Sequence, residues 1–326
     1  MPAAPDLSIL AESLRRDRGL AAKADIGTVT AGLGLSGTSS VAVGDDCAAI
    51  PDGDGYTLFA IEGFMNEFVA ADPWFAGWCG VMVNISDVAA MGGTPVAVVD
   101  AMWADGAGSA QEILAGMRAA ADRFGVPIVG GHTNLNSRCG QLSVAILGKA
   151  KHLLTSFDAK PGDRLVAAVD LRGRYRAHFS NWEAATDAPG SRLRGDLALL
   201  PTIAETGLSK AAKDISQAGI VGTAAMLAEC SHVGVTIDLG AIPQPSGVPL
   251  ERWLKTFPSY GYLLAVAPEN VSSVTRLFLD RGIAAADIGG FDASTCVEIT
   301  DGAAVETIWD FSQQALLGCA APKVPA

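Results

Sequence analysis

Three acidic clusters lie between residues 44 and 92, and their residue types suit cation binding. They are Gly44-Asp45-Asp46-Cys47-Ala48, then Ile61-Glu62-Gly63, then the run from Val83 to Gly92 that contains Asn84, Ser86 and Asp87. Each stands among apolar residues, where a carboxylate is costly unless a cation or backbone N–H groups neutralise it. A divalent metal is the first chemistry this pattern suggests, because carboxylate oxygens are the ligands that magnesium prefers.

Other groups bear chemistry further along. Gly130-Gly131-His132-Thr133-Asn134 closes a short apolar run, so two glycines permit a tight backbone where polar side chains emerge. Arg172, Arg174 and Arg176 precede His178, Asn181 and Trp182. Guanidinium groups clamp phosphate or carboxylate bidentately; the other reading is a solvated loop paired with Glu183 and Asp187. Lys213-Asp214-Ile215-Ser216 enters a helical segment and offers a carboxylate, a hydroxyl and backbone amides, as a site or as a plain helix cap. The uncharged stretch from Gly27 to Ser40 is either a phosphate cradle or a flexible loop.

Periodicity supplies the elements that must carry these groups. An amphipathic helix is expected within residues 1–25, with Ile9, Leu10 and Leu14 on one face. Strands are expected at Val41–Val43, Tyr56–Ile61, Pro95–Met102, Val126–Val129 and Leu142–Lys149. A long helix should run from Pro73 to Met91, capped by Asp72 and stopped by Gly92-Gly93. Asp87 then lies near its carboxyl end, where the helix dipole disfavours an anion. A second helix is expected over Ser109–Phe124, with Ile113, Leu114, Met117 and Phe124 inward. The turn Lys160-Pro161-Gly162-Asp163 places a domain boundary near residue 155, and strands and helices alternate beyond it.

With 326 residues the chain is long enough for two cores. A net charge of -12 argues against a nucleic-acid surface. No apolar stretch is long enough to span a bilayer and no secretory signal is visible, so no membrane role is expected. Six cysteines without metal-binding spacing read as reduced thiols in a cytoplasmic protein.

Together these motifs resemble the aminoimidazole ribonucleotide (AIR) synthetase-like superfamily of ATP-dependent enzymes. That superfamily includes thiamine-monophosphate kinase, selenophosphate synthetase and a hydrogenase maturation enzyme. The resemblance rests on Gly44 to Ala48, Val83 to Gly92, Gly130 to Thr133, Ala159 to Asp163 and Asp214 to Ser216, in the family's order over nearly the whole chain. It implies an α+β, two-domain fold. A β-rich domain over residues 1–155 would form a shared barrel in a homodimer, and an α/β sandwich domain would cover 156–326.

The same resemblance implies ATP and Mg2+, with Asp45, Asp46, Asp87 and Glu62 as metal ligands. Gly44, Asp45, Asp46, Asn84, Asp87, Gly130, Gly131 and Thr133 would line the nucleotide site. His132 and Asp214 become candidate catalytic groups, and Arg172, Arg174 and Arg176 candidate contacts to an anionic small-molecule substrate. Departures mark a divergent member: Glu62 replaces an aspartate, His132 stands where the thiamine kinase has aspartate, and Gln217-Ala218-Gly219 follows Asp214-Ile215-Ser216. Cys319 is not terminal, unlike the reactive cysteine of the hydrogenase enzyme. The expected reaction is phosphoryl transfer to an oxygen of a small molecule. A nucleotide-binding subunit without catalysis and a metal-dependent phosphohydrolase are the alternatives.

Overall fold

The polypeptide passes four times between two compact units. A computed structural model describes residues 6–35, 41–176 and 179–318. One unit comprises Asp46–Leu153 and Ala185–Thr202; the larger one takes the described residues up to Asp45, Leu154–Ala184, and those from Ile203 onward. The crossing at 153/154 falls near the turn read as a boundary, whereas residues before Asp46 join the carboxyl-terminal half.

In chain order, helices α1 (Leu7–Arg15), α2 (Arg18–Ala21) and α3 (Ala24–Gly32) come first. The smaller unit follows with β1 (Ala48–Asp52), β2 (Gly55–Phe64), α4 (Asn66–Ala71), α5 (Pro73–Ala90), β3 (Thr94–Asp105), α6 (Gly106–Phe124), β4 (Ile128–Asn134) and β5 (Asn136–Ala150). Next come β6 (Arg164–Val169), β7 (Arg174–Tyr175), β8 (Trp182–Glu183), α7 (Gly190–Leu197), α8 (Leu199–Glu205), β9 (Ala211–Asp214) and α9 (Gly219–Ser231). The chain closes with β10 (Gly234–Asp238), α10 (Leu250–Leu254), β11 (Gly261–Val266), α11 (Val271–Leu279), β12 (Ala284–Asp292), β13 (Cys296–Thr300) and β14 (Val305–Asp310).

The smaller unit is a five-stranded sheet in the order β1-β2-β5-β3-β4. Its pairs are antiparallel except β3 with β4, which α6 connects as a crossover. One face buries Leu58, Ala60, Val98, Met102, Leu142, Val144 and Ile146. On the other face Ile61 pairs across Ala145 with Val99, and Phe59 pairs with Leu147. All but Ala145 stay exposed, Ile61 at 66% and Phe59 at 48%.

Helix α5 is buried on nearly every side, as its lack of polar periodicity requires. Asp72 caps it by accepting from the Phe75 amide at 3.1 Å, and Pro73 occupies the first turn. Helix α6 is amphipathic as expected, although Leu114 is 44% exposed and Gly116 takes a place on the inner face. The two helices approach closely through glycines. A Cβ on Gly116 would collide with the Trp74 carbonyl, and one on Gly77 with the Ile113 carbonyl.

The larger unit is built on a seven-stranded sheet, β14-β13-β10-β12-β6-β11-β9, antiparallel apart from β10 with β13. Leu7, Leu10, Ala11 and Leu14 of α1 join its core, whereas Ile9 points outward at 68% exposure. The fully buried α9 carries Glu229, whose carboxylate accepts the amides of Leu316 at 2.8 Å and Leu317 at 2.6 Å. Part of the stretch read as a cradle or loop is instead helical α3; residues 36–40, His178 and Cys319 lie outside the described residues. Val41–Val43 forms no strand, and β1 begins at Ala48 instead.

The α5–α6 approach is testable by adding one methyl. Gly116→Ala should destabilise the protein by about 1–3 kcal/mol through overpacking, read as a lower midpoint in thermal unfolding, while Ala110→Gly on the same helix serves as a control that adds no bulk.

Candidate functional site

The smaller unit brings Asp46 and Asp87 together. Asp87 sits in the last turn of α5 at 5% exposure, and Asp46 immediately precedes β1. The buried Met91 sulfur, at the carboxyl cap of α5, accepts the Cys47 amide at 3.0 Å and fixes the entry to β1 against the helix end. Two acids 41 positions apart thereby offer carboxylate oxygens within 4.8 Å of one another. Like charges at that spacing, beside the negative end of a helix dipole, favour a bound cation.

Asn84 lies one turn before Asp87 and is fully buried. Its Nδ2 donates to Gly80 O at 2.8 Å and to Val144 O at 3.0 Å, which staples α5 to β5. Its Oδ1 is buried with no hydrogen-bond partner among the described residues. Two close carboxylates, with an orphaned carbonyl oxygen one helical turn before Asp87, make an oxygen donor set that fits a hard cation such as Mg2+.

Glu62 occupies β2, partly exposed, and does not come within 4.8 Å of both Asp46 and Asp87. Lateral pairing runs Glu62, Val144, Asp100, Gly131 across β2, β5, β3 and β4. Gly130, Gly131, His132 and Thr133 therefore lie within the exposed edge strand β4 rather than on a turn after it. Gly131 is sterically required, because a Cβ there would collide with the Asp100 carboxylate. The His132 ring packs at 5.8 Å from that of Trp103.

In the larger unit Asp214 ends the edge strand β9, opposite Tyr262, at 2% exposure. The Ser216 amide donates to Thr223 Oγ1 at 3.4 Å just before α9, and Ser216 Oγ is buried without a hydrogen-bond partner among the described residues. Asp45 belongs to this unit. Its Oδ2 accepts the Ser156 amide at 2.7 Å, its Oδ1 accepts Ser156 Oγ at 2.6 Å, and Lys213 Nζ stands 3.8 Å from Oδ1. Gly44 O faces the buried Cys230 thiol at 3.9 Å.

The arginines are engaged by acids. Arg172 forks onto Asp170 with contacts of 2.7 and 3.0 Å, while Arg174 and Arg176 share the buried Glu183 at 3.0 and 2.8 Å. Of the alternatives read for this segment, pairing with Glu183 is the one observed, and the Arg174 side chain stays 64% exposed.

Residues 44–150 match the family model described as AIR synthase related protein, N-terminal domain, and residues 160–301 match AIR synthase related protein, C-terminal domain. The chain belongs to the AIR synthase related family. This AIR synthase related protein is 48% identical to an uncharacterized Synechocystis protein, sll0787, over 86% of this chain and 87% of that one. It is 29% identical to the thiamine-monophosphate kinase of Methanospirillum hungatei, over 71% of this chain and 82% of the kinase. Among solved structures it superposes on Thermotoga maritima PurL complexed with ADP at a TM-score of 0.71 and 19% identity, covering 88% of this chain and 48% of that one. It therefore spans about half of that PurL chain. AaThiL complexed with AMPPCP and TMP gives a TM-score of 0.65 at 19% identity, over 84% and 91% of the two chains. Both superpositions establish the two-domain mixed α/β fold. Among the described residues no helix is long and apolar enough to cross a membrane.

Asp100, Ser156 and Lys213 also shape the charge balance, although the motifs assign them no role. Asp100 had a visible signal, an acid inside an otherwise apolar strand, whereas Ser156 and Lys213 acquire meaning only by meeting Asp45. Burial in β3 pushes the Asp100 carboxyl above the ordinary carboxylate range. The folded state therefore holds this proton more tightly, and the associated stability is lost as pH rises through the raised value. Asp100→Asn should raise the thermal midpoint at about pH 7–8 and lose that advantage progressively as pH falls and the Asp100 carboxyl takes up its proton; melting curves from about pH 8 down to about pH 3 check it.

Proposed function

We propose that this protein is a Mg2+-dependent, ATP-using enzyme that transfers a phosphoryl group to an oxygen of a small-molecule substrate. The observation that carries the reading is the approach of Asp46 and Asp87 to within 4.8 Å at the end of a buried helix. Membership of the family and the kinase relative support it. When bound, the metal supplies positive charge that offsets the phosphates of the nucleotide.

The chain's own work is positioning, since phosphoryl transfer asks little covalent chemistry of a protein. Asp46 and Asp87 would hold the metal, with the Asn84 oxygen available to it or to its hydration shell. Gly130, Gly131 and Thr133 present backbone and hydroxyl donors on an open strand edge, where a nucleotide can approach without side-chain obstruction. His132, braced by Trp103, would orient the acceptor hydroxyl, and Asp214 would take its proton. Arg174 is the guanidinium with the exposure to meet an anionic substrate.

A second copy of the chain completes this reading. The outer face of the small unit's sheet exposes Phe59, Ile61, Val99 and Leu147 in paired rows, and a contiguous apolar face of that kind marks an association surface. A reducing, cytoplasmic setting accords with Cys47, Cys79, Cys139, Cys230 and Cys296, which form no disulfide among the described residues.

ADP release across a panel of small hydroxyl-bearing, amide and carbonyl metabolites tests the reaction. Asp46→Asn and Asp87→Asn should each cut turnover roughly 100-fold; turnover that needs no Mg2+, or that survives both substitutions, rejects it. Sedimentation should find a dimer that Ile61→Asp converts to monomer, and a monomeric wild type removes the two-copy arrangement.

A further inference from the structure

The first of the predicted metal ligands has a cation of its own. Asp45 is 1% exposed and Lys213 6% at the side chain, so both charges are withdrawn from water. A buried carboxylate with a buried ammonium beside it is held in place by the protein, because removing either partner leaves an uncompensated charge. Ser156 completes the arrangement. It satisfies one oxygen of Asp45 through its amide and the other through its hydroxyl, and Lys213 Nζ donates to that hydroxyl at 3.4 Å.

Three short segments from different parts of the chain build this triad: the end of the 41–45 stretch, the turn at 155–157 and strand β9. Lys213 lies in β9 opposite Leu263 of β11, within the sheet of the larger unit. Its ammonium is therefore positioned by the fold.

We propose that Lys213 is a tethered cation serving Asp45, and that Asp45 stands outside the metal-binding set. The Gly44-Asp45-Asp46 motif then divides its labour, with Asp45 in the internal ion pair and Asp46 facing the metal. A magnesium ion on Asp45 Oδ1 would sit about 2.1 Å from that oxygen, hence no more than about 6 Å from Lys213 Nζ, given the 3.8 Å contact. Two cations that close in a buried setting repel strongly. The same ammonium relieves Asp45 of charge in nucleotide-free protein, so this corner of the larger unit would stay folded without metal. The inference rests on the reading of Asp46 and Asp87 as metal ligands, and it can fail separately from that reading.

Two measurements on the full chain decide the matter. The first counts bound Mn2+ by electron paramagnetic resonance titration. Asp45→Asn should leave the wild-type count unchanged, as should Lys213→Arg. Lys213→Met should add one Mn2+ per chain at the vacated position. A lower count in Asp45→Asn overturns the proposal; an unchanged count in Asp46→Asn and Asp87→Asn instead overturns the functional reading. The second measurement is thermal unfolding in EDTA, which needs no metal. Lys213→Met should lower the midpoint by roughly 5–10 °C, since it strands a buried carboxylate. The double variant Asp45→Asn with Lys213→Met should recover most of that loss. Additive losses in the double variant would show that the two side chains are not coupled and overturn the proposal. Should Lys213→Met fail to fold, recovery of folding in the double variant supports the ion pair, and failure there as well counts against it.

Discussion

Two carboxylates from distant parts of the chain are brought close together in an apolar setting, and much of the smaller unit can be understood as the apparatus that holds them there. Asp87 is fixed because α5 is fixed: the helix is capped by Asp72, stapled to β5 through Asn84, and packed against α6 at the distance that Gly77 and Gly116 permit. Asp46 is fixed because the Cys47 amide is bound to Met91 at the end of the same helix. The arrangement concentrates negative charge at the negative end of a helix dipole, a position that folding alone does not favour and that a divalent cation would relieve.

Charge in the larger unit is arranged on the opposite principle. Asp45 has Lys213 and Ser156, Asp170 has Arg172, and Glu183 has both Arg174 and Arg176. Glu229 is satisfied by backbone amides of the segment that precedes the carboxyl terminus. These four acids are balanced from within the protein, so they contribute to a fixed architecture. The contrast falls between adjacent residues, since Asp45 accepts from Ser156 beside Lys213 whereas Asp46 approaches Asp87.

The sheet of the smaller unit adds a further constraint. Its inner face packs against α5, and its outer face carries Phe59, Ile61, Val99 and Leu147, which stay exposed among the described residues, so both faces are apolar. The edge strand β4 carries the glycines and His132, which places these residues at the margin of an apolar surface. A second copy that covers the outer face would thus also border the edge strand that carries these residues.

The sequence by itself determined the long helix from Pro73 and its cap, the strands that flank it, the two-domain mixed architecture, and the prominence of Asp46 and Asp87. These are legible because helix caps, apolar runs and acids among apolar residues are local signals. Tertiary structure alone decided which acids meet and which are neutralised. Asp45 and Asp46 look equivalent in the chain, yet 111 residues after Asp45 the backbone returns with Ser156, and β9 later brings Lys213. In the same way Ile9 and Leu114 fit an apolar periodicity but face outward, and Glu183 captures two arginines that read equally well as an anion clamp. Pairing between distant segments depends on sheet order and register, and neither is written in the spacing of residues along one strand.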